Sequence, residues 1–150
     1  MANNVKINEM GNEVVDGFEC KPVDFDPNRP IMHYQSLLFI CDDERCHKAH
    51  KEDKSIKLRK ILKDLELNKG ANRIKITRTF CNGACRFRAV AQLTTNTQAG
   101  AEVKNNALWL KATHKYSDDE WINIFKLLSN NKILSKELPK ESFIPMKVYD

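Results

Sequence analysis

A chain of 150 residues with 41% hydrophobic and 30% charged side chains fits one globular domain plus tails. Such a chain buries roughly 68–70% of its unfolded surface, enough for a real core. The longest apolar run, Leu37 to Cys41, is strand-sized, so no membrane-spanning helix is expected. The net charge of +5 is uneven: residues 51–100 hold twelve Lys/Arg against four Asp/Glu, and residues 1–50 hold five against nine. A basic middle suits an acidic protein, a nucleic acid or an anionic ligand, or is a solvated lysine-rich helix face; for Lys51 to Lys63 the solvated face is the simpler reading. The N-terminal MANNVKINEMGNEVV lacks the basic head and apolar stretch of a secretory signal, and a cytoplasmic location is expected.

Residues 1–31 read as a partly irregular N-terminal extension, acidic and carrying Gly11, Gly17, Pro22, Pro27 and Pro30. The domain proper is expected over 32–134, followed by a tail over 135–150. Tyr34 to Ile40 reads as a buried strand running into Cys41. Asp53 to Asn68 reads as a helix with an apolar stripe of Ile56, Leu58, Ile61, Leu62 and Leu65. Asp53 stands at its N-cap and Asn68 to Gly70 at its stop. Arg73 to Thr79 alternates as a second strand, and third and fourth strands are expected within Phe87–Thr95 and Ala107–Ala112. Between these two lies a turn region over 96–106.

Ser117-Asp-Asp-Glu120 is a capping box, and its acids suit the positive end of a helix dipole. The helix that follows carries Trp121, Ile122, Ile124, Phe125, Leu127 and Leu128, and ends at Asn130-Asn131. In the tail, Phe143, Ile144, Met146 and Val148 are candidates for packing on the body. The predicted fold class is therefore α/β, with a small mixed sheet in the order β-α-β-β-β-α and helices packed against it. The strand–helix–strand start implies a parallel pair, and the short later connections imply hairpins.

Four of the five cysteines form two close pairs, Cys41-x4-Cys46 and Cys81-x3-Cys85, separated by 34 residues. Both pairs read as loop-like segments, C-D-D-E-R-C and C-N-G-A-C, at strand ends. In a reducing compartment, paired cysteines point to metal or redox chemistry rather than to structural disulfides. Free cysteines are also common small core hydrophobes, but two loop pairs outweigh that reading. Four converging thiolates suit an iron–sulfur cluster or a tetrahedral zinc. Zinc knuckles favour two-residue gaps, whereas the gaps here are four and three. Neither the plant-type nor the bacterial ferredoxin spacing is present. Cys20 is left over and has no assigned role.

The strand into Cys41, the paired spacing, and T-R-T-F-C-N-G-A-C-R before a β-rich segment together resemble the thioredoxin-like [2Fe-2S] ferredoxins. That group includes Shethna-type proteins and ferredoxin-like proteins near cobalamin-synthesis enzymes. The capped helix Y-S-D-D-E-W-I resembles the end of the same domain. The resemblance covers about Met32 to Leu134. It implies a thioredoxin-like fold, one [2Fe-2S] cluster on Cys41, Cys46, Cys81 and Cys85, and single-electron transfer to a redox enzyme or reductase partner. It also implies, often, a homodimer. The chain is then an electron carrier rather than an enzyme.

Two other classes compete. A zinc-stabilised four-cysteine binding module would take nucleic acid or an acidic protein on Phe80, Phe87, Arg78, Arg86 and Arg88. A thiol enzyme would use Cys81 or Cys85 as nucleophile, but no pair has the two-residue gap of dithiol exchange. Arg78, Arg86 and Arg88 are candidates for docking a partner, or are merely solvated. Gly83 is expected to turn the backbone and aim N–H groups at sulfur. His47 and His50, just after Cys46, are candidate ligands for a Cys/His zinc or Rieske-type site, but with four cysteines at hand they read as solvated surface residues; His33 and His114 read as strand-end residues. Trp109 and Trp121 read as core anchors rather than electron relays.

Overall fold

The computed structural model describes residues 5–7, 11, 13, 14, 16, 17 and 33–145. Cys20, Met146 and Val148 lie outside the described residues. The chain divides into two units, Met1–Met32 and His33–Asp150. In the first, β1 (Lys6–Ile7) pairs antiparallel with β2 (Glu13–Val14), with Lys6 opposite Val14.

The second unit is mixed α/β. Its strands are β3 (Ser36–Cys41), β4 (Ile74–Thr79), β5 (Ala91–Thr95) and β6 (Leu108–Leu110), in the spatial order β4-β3-β5-β6. β3 and β4 run parallel, with Cys41 opposite Thr79. β5 is antiparallel to β3, and β6 to β5. The parallel pair and the later hairpin pairings are those expected from the order of the strand signals. The strands are shorter than the apolar runs suggested. Residues 85–87 form a 3₁₀ turn instead of opening the third strand, and the connection over 96–106 holds two more such turns.

The even-numbered residues Leu38, Ile40, Ile74 and Ile76 lie within one core, as period-two alternation requires. They share it with Ala91, Leu93 and Leu110 of the other two strands. Helices α2 (Lys54–Asp64) and α3 (Asp118–Ser129) close that core with Leu58, Leu62, Trp121, Ile124, Phe125 and Leu128. α3 begins as its capping box dictates: the Glu120 N–H reaches Ser117 Oγ at 3.1 Å. It ends in a Schellman motif with Asn131 at φ 56° and the Lys132 N–H on the Leu127 carbonyl at 2.9 Å.

α2 ends at Asp64, four residues before the expected end at Asn68. Glu66, at φ 58°, takes the left-handed position, and the Leu67 N–H bonds the Leu62 carbonyl at 2.8 Å. Asp53 does stand at its N-cap, but its carboxylate accepts from Ser55 Oγ at 3.0 Å rather than from the backbone. Two expectations for this helix are corrected. Ile56 is 61% exposed, off the buried stripe. Lys54 is buried, not solvated, with Nζ 3.1 Å from Glu52 Oε1.

Two short helices had no clear sequence signal. α1 (Glu44–His50) replaces the loop expected over C-D-D-E-R-C, and α4 (Leu134–Glu137) opens the tail. α1 turns only its i, i+4 pair Cys46 and His50 inward. Glu44 and Lys48 pair along its surface at 3.0 Å, and Lys51 ends it at φ 59°. Beyond Pro139 the tail returns along β6: Phe143 bridges Leu110, and the Ile144 N–H bonds the Trp109 carbonyl at 2.9 Å. Among the described residues, no helix is long and apolar enough to cross a membrane.

Candidate metal centre

Parallel neighbours end on the same side of a sheet, and that is why the two cysteine pairs meet. Cys41 is the last residue of β3, and Cys81 follows β4 by two positions. The ladder continues past the strands, with the Asp42 N–H on the Thr79 carbonyl at 2.9 Å. β5 approaches from the other side, where the Cys41 N–H bonds the Val90 carbonyl at 3.2 Å. α1 then folds Cys46 back beneath Cys41. All four cysteines line one pocket of about 260 Å³, together with Asp43, Glu44 and Arg45. Each is a free thiol.

The pairs differ in exposure. Cys41 and Cys46 are buried among Ala89 and Val90, with Ala49, Ala84, Phe87, Trp109 and Ile144 packed around them. Cys81 is exposed and Cys85 half-buried, their sulfurs 3.3 Å apart. Cys41 Sγ donates to the Phe80 carbonyl at 3.7 Å, tying the first pair to the second loop. Gly83, at φ 73°, supplies the expected donor: its N–H lies 3.3 Å from Cys81 Sγ. Among the described residues, no three His, Cys, Asp or Glu are already arranged to hold a metal ion.

Burial pushes the Cys46 thiol up to about 11. A backbone hydrogen bond to Val90 opposes this, while the hydrogen bond and charge of Cys41 and the charge of Cys85 add to it. Ionising one thiol beside the others is therefore costly without a cation, and a bound metal removes that cost. A soft, four-sulfur donor set of this kind fits a metal–thiolate centre.

His50 departs from the sequence reading. It is 7% exposed rather than solvated, and neither ring nitrogen has a hydrogen-bond partner among the described residues. Burial, reinforced by Lys54 and His114, lowers its imidazole to about 4. His47 is half exposed as expected, with Nδ1 2.9 Å from Asp42 Oδ1.

His114 is not at a strand end. It sits in a 3₁₀ turn after β6, where Nδ1 accepts the Ala89 N–H at 3.0 Å. Thr113 holds the Ala89 carbonyl through its N–H at 2.9 Å and its hydroxyl at 3.2 Å. Nothing in the sequence marks this clamp, because it joins residues distant along the chain.

Of the candidate docking residues, Arg88 Nε donates to the Cys85 carbonyl at 3.0 Å. Arg78 Nη1 lies 3.9 Å from Asp42 Oδ2 with its side chain 54% exposed, and Arg86 is exposed. Trp121 is fully buried, as a core anchor should be, and Trp109 is half-buried against the cysteines. In comparisons with known proteins, the chain matches no family model and no curated protein.

Proposed function

We propose that this chain is an electron carrier that holds one [2Fe-2S] cluster on Cys41, Cys46, Cys81 and Cys85 and serves a redox enzyme or reductase. The observation that carries this reading is the convergence of all four cysteines, from two distant segments, on one pocket. Their pairing along the chain, with gaps of four and three residues, suits a dinuclear cluster in which each iron takes two thiolates better than the two-residue gaps of a zinc knuckle. Such a cluster supplies reversible one-electron chemistry when bound. The protein's own contributions are burial of Cys41 and Cys46, the Gly83 N–H aimed at Cys81 sulfur, and an open approach on the Cys81 side. The strand order β4-β3-β5-β6, with β5 running opposite to the other three strands, supports a thioredoxin-like arrangement of the second unit.

The test is a visible spectrum of anaerobically purified protein with iron and sulfide analysis. Charge-transfer bands that bleach with dithionite, and matched iron and sulfide, are expected. A colourless protein with stoichiometric zinc after iron-replete expression would replace this reading with the zinc-stabilised binding module.

A further inference from the structure

The second cysteine pair holds two free thiols in contact at the surface: Cys81 is exposed, Cys85 is half-buried, and their sulfurs lie 3.3 Å apart. An S–S bond is about 2.05 Å long, so closing one needs an approach of about 1.3 Å. The loop between them can supply it. Asn82 and Gly83 are exposed, and Gly83 faces open space among the described residues where a side chain would stand. The Gly83 N–H, 3.3 Å from Cys81 Sγ, fixes that sulfur against the loop backbone. The first pair contrasts with this. Cys46 also bonds Cys41, but the two are 2% and 1% exposed, packed against Ala89 and Val90, and Cys41 Sγ donates to the Phe80 carbonyl. A dissolved molecule therefore reaches a sulfur of the second pair first. An accessible thiol with another thiol poised beside it is the arrangement of a redox-sensing pair.

We propose that Cys81 and Cys85 form a thiol–disulfide exchange site for a small disulfide of the glutathione class, with Cys81 as the attacking sulfur and Cys85 as the resolving one. In the first step Cys81 loses its proton to water and its sulfur attacks one sulfur of the small disulfide. A mixed disulfide forms, the small disulfide's own S–S bond breaks, and one glutathione thiolate leaves. In the second step Cys85 loses its proton and attacks the Cys81 sulfur. The Cys81–Cys85 bond forms, the mixed bond breaks, and a second glutathione thiolate leaves. The two thiolates take up the two protons, so the chain is oxidised by two electrons and the small disulfide is reduced by two. Cys85 outcompetes a second glutathione because it is already in contact with Cys81. The exchange does not depend on which metal the cysteines hold. Its consequence rests on the four-cysteine site: the new bond withdraws two of the four donors, and the oxidised chain holds no metal until a thiol reduces it.

The test uses the full chain, stripped by a chelator and then either left metal-free or reloaded with cobalt(II). Each form is treated with oxidised glutathione, and every cysteine is mapped by differential alkylation and peptide mass spectrometry. In the metal-free chain a Cys81–Cys85 bond is expected, with Cys41 and Cys46 still reduced. The cobalt-loaded chain is expected to react about tenfold more slowly or less, because its sulfurs are occupied. The oxidised chain is expected to lose the thiolate-to-cobalt absorption on adding cobalt(II), and dithiothreitol to restore it. Cys85→Ser is expected to accumulate a lasting glutathione adduct on Cys81, and Cys81→Ser to form one on Cys85 about tenfold more slowly. A Cys41–Cys46 bond that forms first, a wild-type adduct on Cys81 that never resolves, or equal adduct rates in the two variants overturns the exchange site. Undiminished cobalt(II) binding by the oxidised chain overturns its hold over metal loading. A chain that takes cobalt(II) but no iron overturns the electron-carrier reading and leaves the exchange site standing.

Discussion

The imidazole of His114 accepts the backbone N–H of Ala89 at 3.0 Å, pinning the segment behind the second cysteine pair to the turn after β6. Only an unprotonated Nδ1 can do this. Burial, followed by Lys115 and Arg88, lowers the His114 pKa, so the folded protein favours the neutral ring. Its contribution is present above the ordinary imidazole range and is lost as pH falls. His114→Asn, whose side-chain oxygen can accept the same N–H, should retain most of the stability. His114→Ala should cost about 1–2 kcal/mol in urea denaturation near neutrality.

His50 has the same sign, with no hydrogen bond behind it among the described residues. The unfolded chain takes up a proton near the ordinary value of about 6.5, whereas the folded ring resists until about 4. Stability should therefore fall as pH drops through that window. His50→Leu should flatten the dependence and gain about 1–3 kcal/mol in mild acid, because two buried nitrogens without partners are removed. Urea midpoints across the window decide this, and an unchanged slope would refute it.

Asn105 joins two distant turns. Its Nδ2 donates to the Lys132 carbonyl at 2.6 Å and its Oδ1 accepts from the Leu134 N–H at 2.9 Å, in a buried setting. Asn105→Ala leaves both backbone groups unpaired and should cost about 2–4 kcal/mol, read as a lowered thermal midpoint.

The thiols should differ in reactivity once metal is stripped. Exposed Cys81 should be alkylated first and buried Cys46 last at neutral pH, as mapped by peptide mass spectrometry. Labelling of Cys46 should accelerate only as pH climbs towards about 11. Uniform labelling of all four would contradict the pocket geometry.

Glu66 occupies a left-handed position at φ 58° that favours glycine. Glu66→Gly should raise stability by about 1 kcal/mol at the α2 terminus, measured by urea unfolding.

Local chemistry that repeats or punctuates was legible. Ser117 and Glu120 marked the start of α3, and the alternation of Ile74 and Ile76 marked β4. The two cysteine pairs announced a shared site because strand signals preceded both. α1 escaped because a helix of seven residues with one cysteine and one histidine inward has no apolar stripe to read. His50 and Lys54 escaped for a related reason: residue type predicts solvation, but their positions at the α1–α2 corner dictate burial. The grip of Thr113 and His114 on Ala89 depends on register between distant turns, which no local pattern encodes.

The return of the tail along β6 has a consequence for self-association. An uncovered outer strand offers its free amide and carbonyl groups to another molecule's strand. Here the Lys111 N–H is taken by the Ser142 carbonyl at 3.1 Å, and Phe143 bridges Leu110. At the far border, Arg59 Nη2 occupies the Ile76 carbonyl at 3.0 Å. Residues beyond Pro139 thus act as a built-in stopper, and cutting them away would free β6 to pair edge to edge with the β6 of a second copy.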